Sequence, residues 1–345
     1  MAITMHEIAR KLNVSVATVS RALSGRPQTV SEQVRREIQE LARRYGYQKR
    51  RTVGKSVAFI IDQLQFNLSS QFYNNIIAGV EQQLIACQYF FQFHSVERKN
   101  EQLNRLNLNF PDLAGVIDVG GYHDHLSEKL HEMGVPMVLV DHHIPTADIP
   151  AVLIDNYDGV VQACKYLYDL GHSRIAFIAG DPVEITAQER LFGYKQSVEL
   201  FGFDADPKLV EYCGGRLDEA HQAMNRILAR GMKPTAVLAH NDVTAIGAMD
   251  ALKQVGFRIP EDISVVGFDD IRLSHEVVPS LTTIHVPKKK MGITAVRRLL
   301  KKIKGKEDPY IKVILPTTLV IRNSCLLYTS PSPRDLSTSR MPSSA

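Results

Sequence analysis

The sequence contains no run of 18 or more apolar residues, which excludes a membrane-spanning helix. It opens Met1-Ala-Ile-Thr-Met-His-Glu7, without the basic and then apolar profile of a secretory leader. Its 4 cysteines, Cys87, Cys164, Cys213 and Cys325, lie far apart with no Cys-x-x-Cys, so neither a zinc finger nor a disulfide framework is encoded. No GxGxxG loop occurs, and no GxxxxGK followed by Ser or Thr, so no dinucleotide or triphosphate cradle is indicated. GxSxG is missing too, and no Cys/His pair carries a local signature. The expectation is a soluble cytoplasmic protein that is not an enzyme and takes no cofactor. His123-Asp-His125 and Asp141-His-His143 have residue types that suit zinc, but nothing orders four ligands, and no metal site is expected.

Strong net charge is also lacking: 41 Lys and Arg stand against 37 Asp and Glu over 345 residues. The distribution is uneven. Residues 1–55 hold 12 basic and 4 acidic side chains, a net of +8, and the remainder holds 29 and 33, a net of −4. A short basic segment on a mildly acidic body is the electrostatic footprint of a nucleic-acid module, although a solvated basic face would look the same by charge alone.

Spacing separates the two. Thr4-Met-His-Glu7 is a capping box, followed by apolar Met5, Ile8, Ala9 and Leu12 on one helical face. Asn13 suits the left-handed turn that ends a helix, and Ser15 is a good N-cap for a second one running to about Leu23. Gly25-Arg26-Pro27 breaks that helix. Ser31 caps a third, with Val34, Ile38, Leu41, Ala42 and Tyr45 inward and Gly46 at its end. Two short helices on a tight turn with a third as buttress form a helix-turn-helix. In the second helix Val19, Ala22 and Leu23 face inward. Ala17, Ser20 and Arg21, with Val16 at the edge, are left for the major groove, where Arg21 reaches guanine O6 and N7. Thr4, Ser15, Thr18, Ser20 and Ser24 supply hydroxyls for phosphate oxygens.

From Ser56 onward short apolar strands alternate with amphipathic helices in two sets of similar size, which predicts parallel, doubly wound sheets in two lobes with a cleft between them. Ligands bind such sheets beyond the strands' carboxyl ends. Asp62, Asp141, Asn241 with Asp242, and Asp269 with Asp270 fall at those ends, and Arg190 lies where a helix of the second lobe begins. Carboxylates, an amide and a guanidinium suit a polyhydroxylated ligand. Each Asp or Asn there equally suits a helix cap. Lys288-Lys-Lys290, Arg297-Arg298 and Lys301-Lys302 mark a basic helix with a stripe of Met291, Ala295, Leu299 and Ile303, most simply a solvated face.

Ser15-Val-Ala-Thr-Val-Ser-Arg-Ala-Leu-Ser24, after Ile8-Ala9 and before Val30-Ser31 and Tyr45-Gly46-Tyr47, resembles the DNA-binding headpiece of the lactose-repressor (LacI/GalR) family. Ile154-Asp-Asn156, Gly171-His172, Arg190-x-x-Gly193-Tyr194, the run from Pro234 to Asp242, the run from Ile259 to Asp270 and Leu281-Thr-Thr-Ile284 resemble its effector domain. The resemblance covers about residues 3–324. It implies an all-α headpiece on a periplasmic-binding-protein-like, type I, two-lobed α/β body with three crossovers, and a homodimer. It also implies operator DNA and a small-molecule effector, a sugar or sugar derivative, as partners. Arg190, Asn241 and Asp269 match the family's sugar-contacting residues, and Asp141 and Asp62 occupy lining positions that vary more. The expected division is a headpiece at 1–47, a basic linker at 48–55, the body at 56–324 and a tail at 325–345. The alternative is a cytoplasmic sugar-binding protein with the same body and no DNA role.

Two departures from the family pattern stand out. Where members carry Tyr-x-Pro-Asn-x-x-Ala-Arg-x-Leu, whose Leu wedges into the minor groove, this chain has Tyr47-Gln-Lys-Arg-Arg-Thr-Val-Gly54-Lys-Ser. It is expected to bend DNA less and to rely on Lys49, Arg50, Arg51 and Lys55 for phosphate or minor-groove contacts. Residues 326–345 hold 11 Ser, Pro or Thr among 20 and no periodicity, so they are expected to be disordered. They resemble translated sequencing-adaptor read-through, and the native chain is expected to end within a few residues of Ser324.

Overall fold

A computed structural model describes residues 5–23, 30–45, 54–63, 66, 70–97, 112–121, 124–306 and 311–326. Thr4, Ser24, the Gly25-Arg26-Pro27 break, Gly46, the linker bases Lys49, Arg50 and Arg51, His123 and the tail beyond 326 lie outside the described residues. The chain divides into two compact units, Met1–Gly54 and Lys55–Ala345.

The first unit has three helices: α1 (Met5–Lys11), α2 (Val16–Leu23) and α3 (Glu32–Arg44). Ile8, Val19 and Ile38 are fully buried, one from each helix, and Ala9, Ala22 and Ala42 close the small core around them. Asn13 takes the left-handed turn after α1, with φ 49°. The Thr18 amide donates to Ser15 Oγ at 3.0 Å, so Ser15 caps α2. Two expectations for α3 need correction. Ser31 starts the helix from extended backbone without a side-chain cap bond. Tyr45 is 42% exposed instead of inward, because its ring lies beneath the Lys11 ammonium, 5.2 Å from the centroid. Ser15→Ala is expected to cost the headpiece about 1 kcal/mol, read as a lower denaturation midpoint of this unit.

In the second unit β1 (Ser56–Asp62), β2 (Phe90–Val96), β3 (Leu113–Val119), β4 (Met137–Val140), β5 (Ala151–Ile154) and, from late in the chain, β11 (Lys312–Leu315) form one parallel sheet. Its order is β11-β5-β4-β3-β1-β2. The central strands read as continuous apolar runs because helices cover both faces. Helix α4 (Ser70–Ala86) and helix α11 (Lys288–Ile303) pack together, so closely that a Cβ at Gly292 would collide with the Ile76 carbonyl; α5 is Asp124–Glu132. The second lobe is a parallel sheet in the order β7-β6-β8-β9, from β6 (Ile175–Ala179), β7 (Val210–Tyr212), β8 (Ala236–Ala239) and β9 (Ser264–Val266). Around it lie α6 (Asn156–Asp169), α7 (Ile185–Phe201), α8 (Leu217–Ala229), α9 (Asp242–Gln254) and the short α10 (Leu273–Glu276). Gly202, with φ 68°, ends α7 in the left-handed conformation that favours glycine.

The chain passes between lobes three times: after β5, between β9 and α11 through β10 (Thr283–His285), and after β11 through β12 (Thr318–Val320). Strands β10 and β12 pair antiparallel. Phe268 lies at this junction, fully buried, its ring filling the space a Cβ on Gly159 would need. His172 bridges Thr235 Oγ1 and Ser264 Oγ at 3.0 Å each, joining the ends of β6, β8 and β9. Cys325 and Leu326, read from sequence as tail, pack on the body: Leu326 N donates to Ser264 Oγ at 3.1 Å, and Cys325 Sγ reaches the Val265 carbonyl at 3.4 Å.

Candidate functional site

The alternation of strands and helices leaves polar residues where strands end and helices begin, and the two lobes bring several of these together. Arg190, on the first turns of α7, is 5% exposed. Its Nε donates to Asn156 Oδ1 at 2.8 Å, one Nη to the His240 carbonyl at 2.5 Å and the other to Asp269 Oδ1 at 3.2 Å. The guanidinium carbon stands 3.8 Å from the centroid of the Phe268 ring. Asn156 in turn donates to Glu189 Oε2 at 2.8 Å. The guanidinium is therefore satisfied on every edge and stacked on its face, which fixes its position.

Asp141, just past β4, has φ 66°, and Asp269 and Asp270, past β9, have φ 108° and 53°. Three non-glycine residues in left-handed backbone, all aspartates at strand ends, are where strain collects at functional sites. Asp141 Oδ2 accepts from the Tyr73 hydroxyl at 3.4 Å, and its buried Oδ1 has no hydrogen-bond partner among the described residues. Burial pushes the Asp141 carboxyl up to about 7, against the opposing pull of Arg190. Burial also raises Asp269, with Arg190 and Lys288 opposing it. His240, buried beside Arg190, is held neutral with its pKa down at about 3.

A cavity of about 140 Å³ opens between the lobes. Gly120, Gly121, Asp124, Asp141 and His142 line it from the first lobe, and residues 183–186 line it from the start of α7. His142 is 4% exposed, its Nε2 3.5 Å from Asp118 Oδ2 and without a hydrogen bond among the described residues. Burial disfavours the charged imidazole, but the Asp118 carboxylate outweighs it and raises the His142 pKa.

The expected effector residues thus divide. Arg190 and Asp269 pair with each other and act on Asp141, which alone of the three lines the cavity. Asn241 caps α9, its Oδ1 accepting from the Thr244 amide at 2.8 Å, so its helix-capping reading holds locally. Asp62 ends β1, 1% exposed. Sequence reasoning missed Asn156, His240, Tyr73 and Phe268. His240 and Asn156 adjoin residues that were singled out, but a backbone carbonyl and a stacking ring leave no signal in residue type. Beneath the site, Asp242 accepts from Thr283 Oγ1 at 2.5 Å and from the Ile271 amide at 2.8 Å, with burial raising its pKa well above the usual range. Asp270 accepts from Arg322 at 2.5 Å and faces His285 Nδ1 at 2.7 Å. Burial alone would raise its pKa, but these partners outweigh burial and hold it at about 2. Lys288, 6% exposed, donates to the carbonyls of Asp269 and Asp270. Among the described residues no three His, Cys, Asp or Glu side chains are arranged to hold a metal, and no helix is long and apolar enough to cross a membrane.

In the first unit Ser15 and Ala17 are exposed, and Val16 and Thr18 partly so. The Ser15 and Thr18 hydroxyls bond each other at 2.8 Å, tying both to the start of α2. Ser20 and Arg21 lie in α2, with their side chains outside the described residues.

Comparison with known proteins agrees on both units. The profile of bacterial regulatory proteins of the lacI family matches residues 4–49, and that of the periplasmic binding protein-like domain matches residues 164–325. The HTH-type transcriptional repressor CytR of Escherichia coli K12 is 32% identical over 334 residues, covering 94% of this chain and 96% of that protein. The HTH-type transcriptional regulator CelR of Thermobifida fusca is 31% identical, covering 93% and 98%. Among solved structures, a CelR–cellobiose complex superposes with a TM-score of 0.73 at 30% identity, over 93% of this chain and 99% of that one. A lac repressor dimer bound to operator and the anti-inducer ONPF gives 0.69 at 25%, over 94% and 100%. With headpiece and two-lobed body both matched over nearly its whole length, this chain belongs to the LacI family of bacterial transcriptional regulators.

Proposed function

We propose that this regulator is a dimeric cytoplasmic repressor whose two headpieces occupy half-sites of a near-palindromic operator, and whose operator affinity is set by a sugar or sugar derivative held between the lobes. The observation that carries the effector reading is the buried Asp141 Oδ1, which faces the cavity without a hydrogen-bond partner among the described residues. A buried polar atom without a partner is costly, and a ligand hydroxyl that donates to it relieves the cost. Relatives named for ribose and cellobiose support a sugar. Arg190 and Asp269 fix the floor of the site, Asp141 accepts from a ligand hydroxyl, and Asn241 and Asp62 complete the lining. The effector acts by favouring one arrangement of the lobes over another, to the extent that it binds the two unequally.

In the headpiece Arg21 reads a guanine, Ser15, Val16, Ala17, Thr18 and Ser20 approach the groove, and Thr4, Ser24, Lys49, Arg50 and Arg51 hold phosphates. A gel shift on DNA flanking the gene tests the DNA half, with affinity expected to fall steeply between roughly 50 and 200 mM salt. No shift, or a salt-indifferent one, sinks the repressor reading and leaves a sugar-binding protein. Arg21→Ala is expected to cost about 1–3 kcal/mol at a single base position. A uniform loss over all positions would make Arg21 a phosphate contact instead. A thermal-shift panel of sugars and nucleosides tests the effector half.

A further inference from the structure

Helix α11 carries a charge pattern that its packing does not explain. Its 16 residues include Lys288, Lys289, Lys290, Arg297, Arg298, Lys301 and Lys302 and no acidic residue. With Lys304 and Lys306, 9 of the 29 basic residues of a net-acidic body fall within 19 positions of sequence. One side of the helix is accounted for, since Met291, Ala295, Val296 and Leu299 are fully buried. Lys288 is accounted for by the two carbonyls it holds. The opposite side is exposed. Lys290, Arg297, Lys301 and Lys304 recur at i, i+7, i+11 and i+14, a single stripe about 21 Å long at 1.5 Å per residue.

Several exposed basic side chains elsewhere in the body sit beside acids: Lys165 with Asp169, Arg258 with Asp262, Arg272 with Glu276, and Arg226 and Arg230 with Glu211. Others, such as Lys129, Lys195, Lys208 and Lys233, stand singly at scattered positions, whereas the cations of α11 share one face. Among the described residues none of Lys290, Arg297, Lys301 and Lys304 has an ion-pair partner. Arg297 and Lys301 repel each other at i, i+4, and Lys289 and Lys290 lie at the end of the helix that its dipole makes positive. Both features oppose helix stability, and an anionic partner offsets each of them.

The chemistry of the face selects the partner. A protein interface is anchored by buried aromatic or aliphatic side chains, and none of the large exposed hydrophobic residues lies on α11. A nucleic-acid backbone requires cations alone. Along one DNA strand, at about 3.4 Å of axis per phosphate, a stripe of that length runs beside about six phosphates. We infer that the exposed face of α11 is a second DNA-binding surface, carried by the body and not the headpiece, which takes the phosphates of duplex DNA without regard to sequence. It requires neither an operator half-site nor an effector.

The test uses the full-length protein and a mixed-sequence duplex of about 60 base pairs, titrated between roughly 50 and 200 mM salt. The variant K290Q/R297Q/K301Q/K304Q is compared with K129Q/K195Q/K208Q/K233Q, which removes the same charge from exposed positions elsewhere in the body. The α11 variant is expected to lower the slope of log affinity against log salt by about 2–4, at about 0.9 for each phosphate no longer neutralised, with the control close to wild type. R297Q/K301Q alone gives about half that change. An equal fall in the two fourfold variants shows only the general field of the protein and overturns the inference, as does a wild-type slope in the α11 variant. A wild-type DNA slope together with abolished binding to polyglutamate assigns the face to an acidic polypeptide, and the inference again fails.

Discussion

Arg190→Met is expected to remove about 3–5 kcal/mol of unfolding free energy and to abolish the response to any cleft ligand. The side chains of Arg190 and Asp269 are only 7% and 12% exposed, so deleting the cation leaves a buried carboxylate with no counter-charge at hydrogen-bonding distance on that side. The His240 carbonyl and Asn156 Oδ1 lose their donors in the same step. Methionine restores the packing against the Phe268 face but none of the three hydrogen bonds. Asp269 escapes by taking up a proton, so the deficit should narrow as pH falls. Asp269→Asn in the Arg190→Met background should cost less than the two single changes added together, because the charge it removes is the one left stranded. Urea denaturation of the four proteins at two pH values is the measurement. A loss below about 1 kcal/mol in Arg190→Met would show that the pair is solvated in solution and would remove the floor of the proposed site.

The second large effect is on pH dependence. Asp141 has a folded-state pKa of about 7, and an unfolded chain holds it near the ordinary 3.8. Between these values the native state binds the extra proton, so unfolding free energy falls as pH rises, with a slope of about 1.4 kcal/mol per unit. The contribution is whole below the unfolded pKa and is lost as pH climbs through the folded one. Asp141→Asn imitates the protonated side chain at every pH. The variant should therefore match wild type near pH 4 and gain on it steadily to about pH 7, where the difference levels off. Asp269 and Asp242 titrate in the same direction, but both are present in the two proteins and cancel in the comparison. Parallel stability curves from pH 4 to 8 would place Asp141 in water.

Most of this architecture is legible in the sequence because its signals are periodic. The buried strands announce themselves as apolar runs, as in the centre of β1 and in β4, and Ser15 marks a helix start by the cap it supplies. Four elements escape, the single turn of α10 and three strands. Strands β10, β11 and β12, at three or four residues each, are as short as β9 and β4 but mix polar residues into Thr-Ile-His, Lys-Val-Ile-Leu and Thr-Leu-Val. They gain strand geometry from partners over thirty residues away, such as Val320 on Thr283. Within the site, Arg190, Asp141 and Asp269 are charged residues at strand and helix ends, where position makes them candidates and the family resemblance chooses them over neighbours such as Asp242 and Asp270. The Phe268 ring and the His240 carbonyl are reached only through the fold, since neither residue type nor spacing reports that a ring lies flat beneath a guanidinium. Asn241 shows the limit from the other side: the same residue at the same strand end satisfies a helix cap first, and local geometry consumes the signal that would otherwise mark a ligand contact.

Neighbouring carboxylates at the end of β9 serve two different structures. Asp269 meets Arg190 in the cleft, and Asp270 meets Arg322 beyond β12 and His285 on β10, while Lys288 grips the carbonyls of both. One peptide unit separates them, and their Cα atoms stand about 3.8 Å apart. The Arg190 pair and the strands that carry the chain between lobes are thus moored at adjacent residues, and Lys288 at the start of α11 is tied to both moorings.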